Sequence, residues 1–223
     1  MQRSPGALDE LSFPGVLASA QAGEAWGAET LFRDLQPRVL RFLRSTEPRA
    51  ADDLAGEIWL AMAKGIRAFE GDLAGFRAWV FSIARRRLAD HRRTAVRHAT
   101  DPTDGEVFAR RDALVDTAEQ AIDGMSAQAA VDLITAHLPA EQAEVLVLRV
   151  VAELDVHHVA EVMGRNANWV RVTQHRALRR LADALKGAVG AGDIEEGGVV
   201  ENMFRRNLPD PVIPLPPPAI CPS

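Results

Sequence analysis

Two blocks of basic residues carry the chemistry that stands out in this chain. Nine arginines lie between Arg77 and Arg111 against Asp90, Asp101, Asp104 and Glu106, and six basic residues lie between Arg165 and Lys186 against Asp183 alone. Guanidinium groups at this density suit the phosphates of a polyanion, and local rather than net charge decides where a polyanion docks. The net charge of −5 over 223 residues argues against a wholesale nucleic-acid coat. Carboxylates form a second constellation. Asp53 and Glu57 stand four residues apart, which puts both on one face of a helix, within reach of basic partner side chains. No histidine or third carboxylate is placed to complete a metal site with them. His157 and His158 are adjacent, so on a helix they point about 100° apart and make a poor metal pair. No Ser/His/Asp or Cys/His arrangement, glycine-rich phosphate loop or CxxC stands in a convincing context. The chain is therefore expected to be no enzyme and to need no metal or other cofactor.

Helices must position these groups. Alanine, leucine and arginine dominate, tyrosine is absent and no segment alternates with period two, which points to an all-α protein. Residues 1–23 lack sustained periodicity and are expected to be disordered; the faint resemblance of LSFPGVLASAQA to a signal peptide is spoiled by Asp9, Glu10 and Pro14. A first helical domain spans 24–98. Its apolar stripes are Leu31, Leu35, Val39, Phe42 and Leu43; then Leu54, Ile58, Ala61 and Met62; then Trp79, Val80, Ile83, Ala84 and Leu88. Residues 99–126 read as a linker, 127–187 as a second helical domain, and 188–223 as a Gly/Pro-rich tail unable to bury enough apolar surface to order itself. The single cysteine, Cys221, excludes an internal disulfide and suits a reducing cytosol. No apolar run approaches the roughly 18 residues of a membrane span, so no membrane insertion is expected.

Within the second domain, Val156, Val159, Ala160 and Met163 line one edge of a short helix, and Gly164 supplies a left-handed stop. Asn166 or Asn168 can cap the next helix. That helix carries Val170, Gln174, Ala177, Leu178, Leu181 and Leu185 on one face and Asn168, Val172, His175, Arg176 and Arg179 on the other, with Arg171 on the shoulder. Ala160, Gly164 and Val170 have the spacing of a helix-turn-helix: a small residue where helices cross, a glycine at the turn, an apolar plug between them. An ordinary helix pair with a solvated basic face remains the plain alternative. As a recognition helix, it would put Asn168, Arg171, Val172 and His175 on base edges and Arg176, Arg179 and Arg180 mostly on phosphates.

The first domain separates these alternatives. ADDLAGEIWLAMA at 51–63, IRAFEG at 66–71 and FRAWVFSIARRRLADHRR at 76–93 resemble region 2 of bacterial RNA polymerase sigma factors of the extracytoplasmic-function (ECF) group, actinobacterial type. LPAEQAEVLVLRVVAEL at 138–154 and the helix-turn-helix after it resemble region 4 of that group. The resemblance covers about 130 residues, in two blocks in the expected order. It implies that Asp53, Leu54 and Glu57 dock the clamp helices of the polymerase's largest subunit. It also implies that the loop Phe69–Gly75 and the following helix capture and melt the minus-ten element, using Phe69, Phe76, Arg77, Arg85, Arg86, Arg87, Arg92 and Arg93. Trp79, on the apolar stripe, is expected to be core. Arg86 stands where the family usually has asparagine, which leaves the minus-ten preference open. Asn168, Arg171, Val172, His175, Arg176 and Arg179 would read the minus-thirty-five element.

The implied partners are core RNA polymerase (clamp helices and flap), promoter DNA and an anti-sigma factor, in the cytoplasm. Asp101, Asp104 and Glu106 would suit a linker threading a channel built for nucleic acid. Two other functions fit less of the sequence: a helix-turn-helix regulator outside the polymerase, and a helical adaptor whose basic faces bind acidic proteins. The stretch VVENMFRRNLPDPVIPLPPP is a candidate partner motif in the tail.

Overall fold

The computed structural model describes residues 8–99 and 118–189. Among them there is no strand. Eight α-helices run α1 (Phe13–Ala22), α2 (Ala25–Arg44), α3 (Ala51–Gly65), α4 (Leu73–Ala99), α5 (Ala118–His137), α6 (Ala140–Val150), α7 (Val156–Met163) and α8 (Ala167–Val189), with a 3-10 turn at Ile66–Ala68. The expected all-α, two-domain architecture is present. The acidic linker residues and the tail motif with Cys221 lie outside the described residues.

The N-terminus departs from expectation. Residues 13–22 form α1, with Pro14 in its first turn, where a missing amide costs nothing. Phe13, Val16, Leu17 and Ala20 fall at helical spacing and are buried. The helix lies against α2 at Gly27. A Cβ there would sit 2.6 Å from the Ala20 amide nitrogen and 2.8 Å from the Val16 carbonyl oxygen, so only glycine permits this approach.

The first domain's core combines Leu31, Leu35, Val39, Phe42 and Leu43 of α2 with Leu54 and Ile58 of α3 and Phe76, Val80, Phe81, Ala84 and Leu88 of α4. Phe42 and Phe81 meet edge to face at 5.5 Å. In the second domain, Val131 and Ile134 of α5, Val145 to Leu148 of α6, Val159 and Met163 of α7, and Val170, Ala177 and Leu181 of α8 close the core. Pro139 stands at the N-cap of α6.

The two domains also touch, because α4 packs against α7. Ionic contacts accompany this packing. The Glu153 carboxylate accepts from Arg38 Nη1 at 2.9 Å and from Arg77 Nη1 at 3.0 Å. Arg85 Nε lies 3.0 Å from Glu144 Oε1. Behind them, Asp34 is buried beside Arg77 (Nη2 at 3.3 Å) and Arg38 (Nε at 3.8 Å).

Candidate nucleic-acid interface

In the second domain, local chemistry builds the helix-turn-helix. Asp155 caps α7, its Oδ1 accepting from the amides of His157 at 2.8 Å and His158 at 2.9 Å. The His158 imidazole lies 3.1 Å from Asp155 Oδ2. Burial by itself would push the Asp155 carboxyl up, but the His158 amide and imidazole, with the His157 amide, hold it below the usual carboxylate range. Gly164, at φ 64° and ψ 37°, ends α7 in the left-handed region, and the Arg165 amide closes back on the Ala160 carbonyl at 2.9 Å. Asn166, rather than Asn168, caps α8 by accepting from the Trp169 amide at 2.8 Å.

Asn168, Arg171, Val172, His175, Arg176 and Arg179 are all exposed along one stripe of α8, and Arg180 is exposed beside them. Val170, Ala177 and Leu181 face inward. Val172 is an apolar side chain left 41% exposed among cations, a suitable contact for a thymine methyl. Trp169 is half-buried, with the Arg165 guanidinium 5.2 Å from its ring centroid, so it packs where α8 begins.

The first domain brings together only part of its expected site. Asp53 and Glu57 are exposed on one face of α3, and Glu57 lies 3.7 Å from Arg87. Leu54 is 3% exposed: it anchors that face from beneath and is closed to a partner. Spacing also picks out a residue not singled out in the sequence. Leu60, 65% exposed, shares the stripe of Asp53 and Glu57. Phe32, Pro37, Trp59 and Met62 line a shallow apolar groove between α2 and α3. The signal available in the sequence is spacing alone: Leu60 stands seven residues after Asp53, two helical turns on.

Around the loop that leads into α4, Asp72 caps the helix, its Oδ1 accepting from the Gly75 amide at 2.8 Å. Phe76, expected to touch DNA, is fully buried against Phe13, Phe69 and Trp79 and is a core residue. Phe69 is half-buried, its ring 5.0 Å from Phe76 and 5.3 Å from Trp79, and its edge remains available. Trp79 packs against the core but keeps partial exposure. Arg77 is 8% exposed and held by Asp34 and Glu153, so it is a structural cation in this arrangement. Arg85 is engaged by Glu144, Arg92 by Glu47 at 2.8 Å and Arg93 by Asp90, while Arg86 is exposed.

A family model described as "Sigma-70 region 2" matches residues 31–98, and one described as "Sigma-70, region 4" matches residues 128–181. The ECF RNA polymerase sigma factor ShbA of Streptomyces griseus is 34% identical over 183 residues, which are 78% of this chain and 95% of that relative. This chain belongs to the ECF RNA polymerase sigma factors. The sigma factor SigD of Mycobacterium tuberculosis is also 34% identical, over 80% of this chain and 84% of its own. A solved structure of CnrH in complex with the cytosolic domain of CnrY shares the fold, at a TM-score of 0.52 and 18% identity, covering 79% of this chain and 98% of that one. As an ECF sigma factor, the chain has its two domains in the order of regions 2 and 4. Among the described residues no cluster of three metal-ligating side chains occurs, and no helix is long and apolar enough to cross a membrane.

Proposed function

We propose that this sigma factor directs core RNA polymerase to promoters carrying a minus-thirty-five element read by α8 and a minus-ten element melted by the first domain. The observation that carries this reading is the exposed stripe of α8, where three arginines, an asparagine, a histidine and one bare valine stand together on a helix locked by its Gly164 turn. Such a face offers base-edge donors at its N-terminal end and phosphate contacts farther along. Asp53 and Glu57 receive basic side chains of the polymerase clamp helices, and Leu60 with the Phe32–Trp59 groove supplies the apolar part of that dock. Phe69 and Arg86 contribute to capture of the minus-ten strand. Arg85, Arg87, Arg92 and Arg93 join once their carboxylate partners give way to phosphate. The chain works in the cytoplasm, and an anti-sigma factor covers its two amphipathic domains until a signal releases it, a reading that rests on the family.

In vitro transcription with core polymerase, followed by mapping of start sites, tests this function. Discrete starts with a shared upstream pair of elements are expected, and Asp53→Ala with Glu57→Ala abolishes both the starts and core binding. An absence of start sites, or core binding indifferent to those two substitutions, refutes it. Constitutive promoter firing in the native host, with no inhibitor co-purifying, refutes the anti-sigma part alone.

A further inference from the structure

The N-terminal helix and the turn before it touch the segment that joins α3 to α4 and the first turn of α4. The Gln21 side-chain amide donates to the Ile66 carbonyl at 3.0 Å and to the Phe69 carbonyl at 2.8 Å. The Leu73 amide, at the start of α4, donates to Glu10 Oε2 at 3.4 Å. The Phe13 ring packs 5.4 Å from Phe76, which in turn holds Phe69 edge-on. Residues 66–73, which enter the Phe69–Gly75 loop, are thus tied by α1 and the turn before it, some 45 to 63 residues upstream. The helix itself is fixed. It fits against Gly27, and the Leu8 amide donates to the buried Asp34 at 3.3 Å. The donor of Gln21 is well matched to its place. An amide NH2 offers two hydrogens, and both meet carbonyl oxygens, at the 3-10 turn and at the residue that ends it.

We propose that α1 is a brace for the strand-capturing loop, with Gln21 as a positioning residue that sets where Phe69 presents its exposed edge. This rests on the minus-ten function proposed above. Holding the loop in its bound shape before DNA arrives removes an ordering cost from capture of an unpaired base, so loosening the loop weakens capture without touching the rest of the protein. In this proposal Gln21 acts through the backbone at Ile66 and Phe69.

The test uses the full chain bound to core polymerase and a fluorescent single strand carrying the non-template minus-ten sequence taken from a mapped start site. Gln21→Leu keeps bulk and removes both donors; Gln21→Glu sets a carboxylate against the two carbonyls; Gln21→Lys restores a donor. Single-strand affinity is expected to fall roughly 5- to 10-fold for the leucine and glutamate variants, since both hydrogen bonds that hold the loop are lost, in part to water. It should stay within about 2-fold for lysine, and core affinity should be unchanged in all three. Single-strand affinity unaltered by leucine and glutamate overturns the brace. So does a loss that core binding shares, or one that lysine fails to restore, because either marks a purely structural role. A parental holoenzyme that never retains the strand overturns the minus-ten reading itself, and the brace with it.

Discussion

Asp34 offers the sharpest test of what holds the first domain together. Its side chain is 2% exposed and faces two guanidiniums, those of Arg77 at 10% and Arg38 at 16% exposure. It also accepts from the Leu8 amide. Asp34→Ala leaves Arg77 nearly buried with a single remaining counter-charge, the half-exposed Glu153, and removes the acceptor from Leu8. Breaking a buried pair from one side costs about 3–5 kcal/mol. Arg38 can turn toward water, which argues for the lower half of that range, and the lost backbone acceptor adds about 1 kcal/mol. A loss of about 4 kcal/mol is expected for Asp34→Ala. Asp34→Asn keeps the acceptor and loses the charge, so about 2–3 kcal/mol is expected. Asp34→Leu with Arg77→Met removes both charges together and should fall within about 1 kcal/mol of the parental chain. Urea unfolding followed by tryptophan fluorescence reads this domain, because Trp26, Trp59 and Trp79 lie in it and only Trp169 lies in the other. A cost for Asp34→Ala below about 1 kcal/mol, or a double variant less stable than Asp34→Ala, would refute the reasoning.

Other perturbations follow from the same geometry. Gly27→Ala should destabilise by about 1–3 kcal/mol, since its Cβ would strike the backbone of α1, and proteolysis should then cut first within residues 8–24. Asp155→Ala should cost about 1 kcal/mol at neutral pH. Because the folded carboxyl is held below its ordinary range, that contribution is present above the unfolded value near 4 and fades as pH falls through the lower folded one. Denaturation curves of the parent and Asp155→Ala should therefore converge in acid. Arg176→Ala and Arg179→Ala should each weaken promoter binding similarly across sequences and reduce the salt slope by about 0.9, measured by fluorescence anisotropy. Glu144→Ala with Glu153→Ala should loosen the domain contact by about 1–2 kcal/mol, read as a larger radius of gyration in solution scattering.

Features fixed by neighbours in sequence were legible before the fold was seen. The stripe of α8, the Gly164 stop and the asparagine cap depend on residues within one turn, and each stands where spacing put it. Phe76 lies close to a loop, yet it shares a helix face with Val80, four residues on, and that face is core. The structural role of Arg77 has no local signature. Its partners Asp34 and Glu153 lie 43 and 76 residues away, a distance over which periodicity carries no information. The α1 helix was different, since Phe13, Val16, Leu17 and Ala20 already had helical spacing. Pro14 and Gly15 masked it by looking like breakers, although proline in a first turn favours a helix.

Glu153 adopts φ 55°, a left-handed conformation that a residue with a Cβ takes only at a cost of about 1 kcal/mol. Glycine would fit that backbone with less strain, yet glycine would hold neither Arg38 nor Arg77. Local preference and long-range attraction are therefore in conflict at one position, a point of frustration in an otherwise consistent chain. Such a residue is a built-in balance. When the domains are together, the two guanidiniums keep the turn in its unfavourable shape. The ion pairs that join the two domains thus also hold the α6–α7 corner in its strained shape.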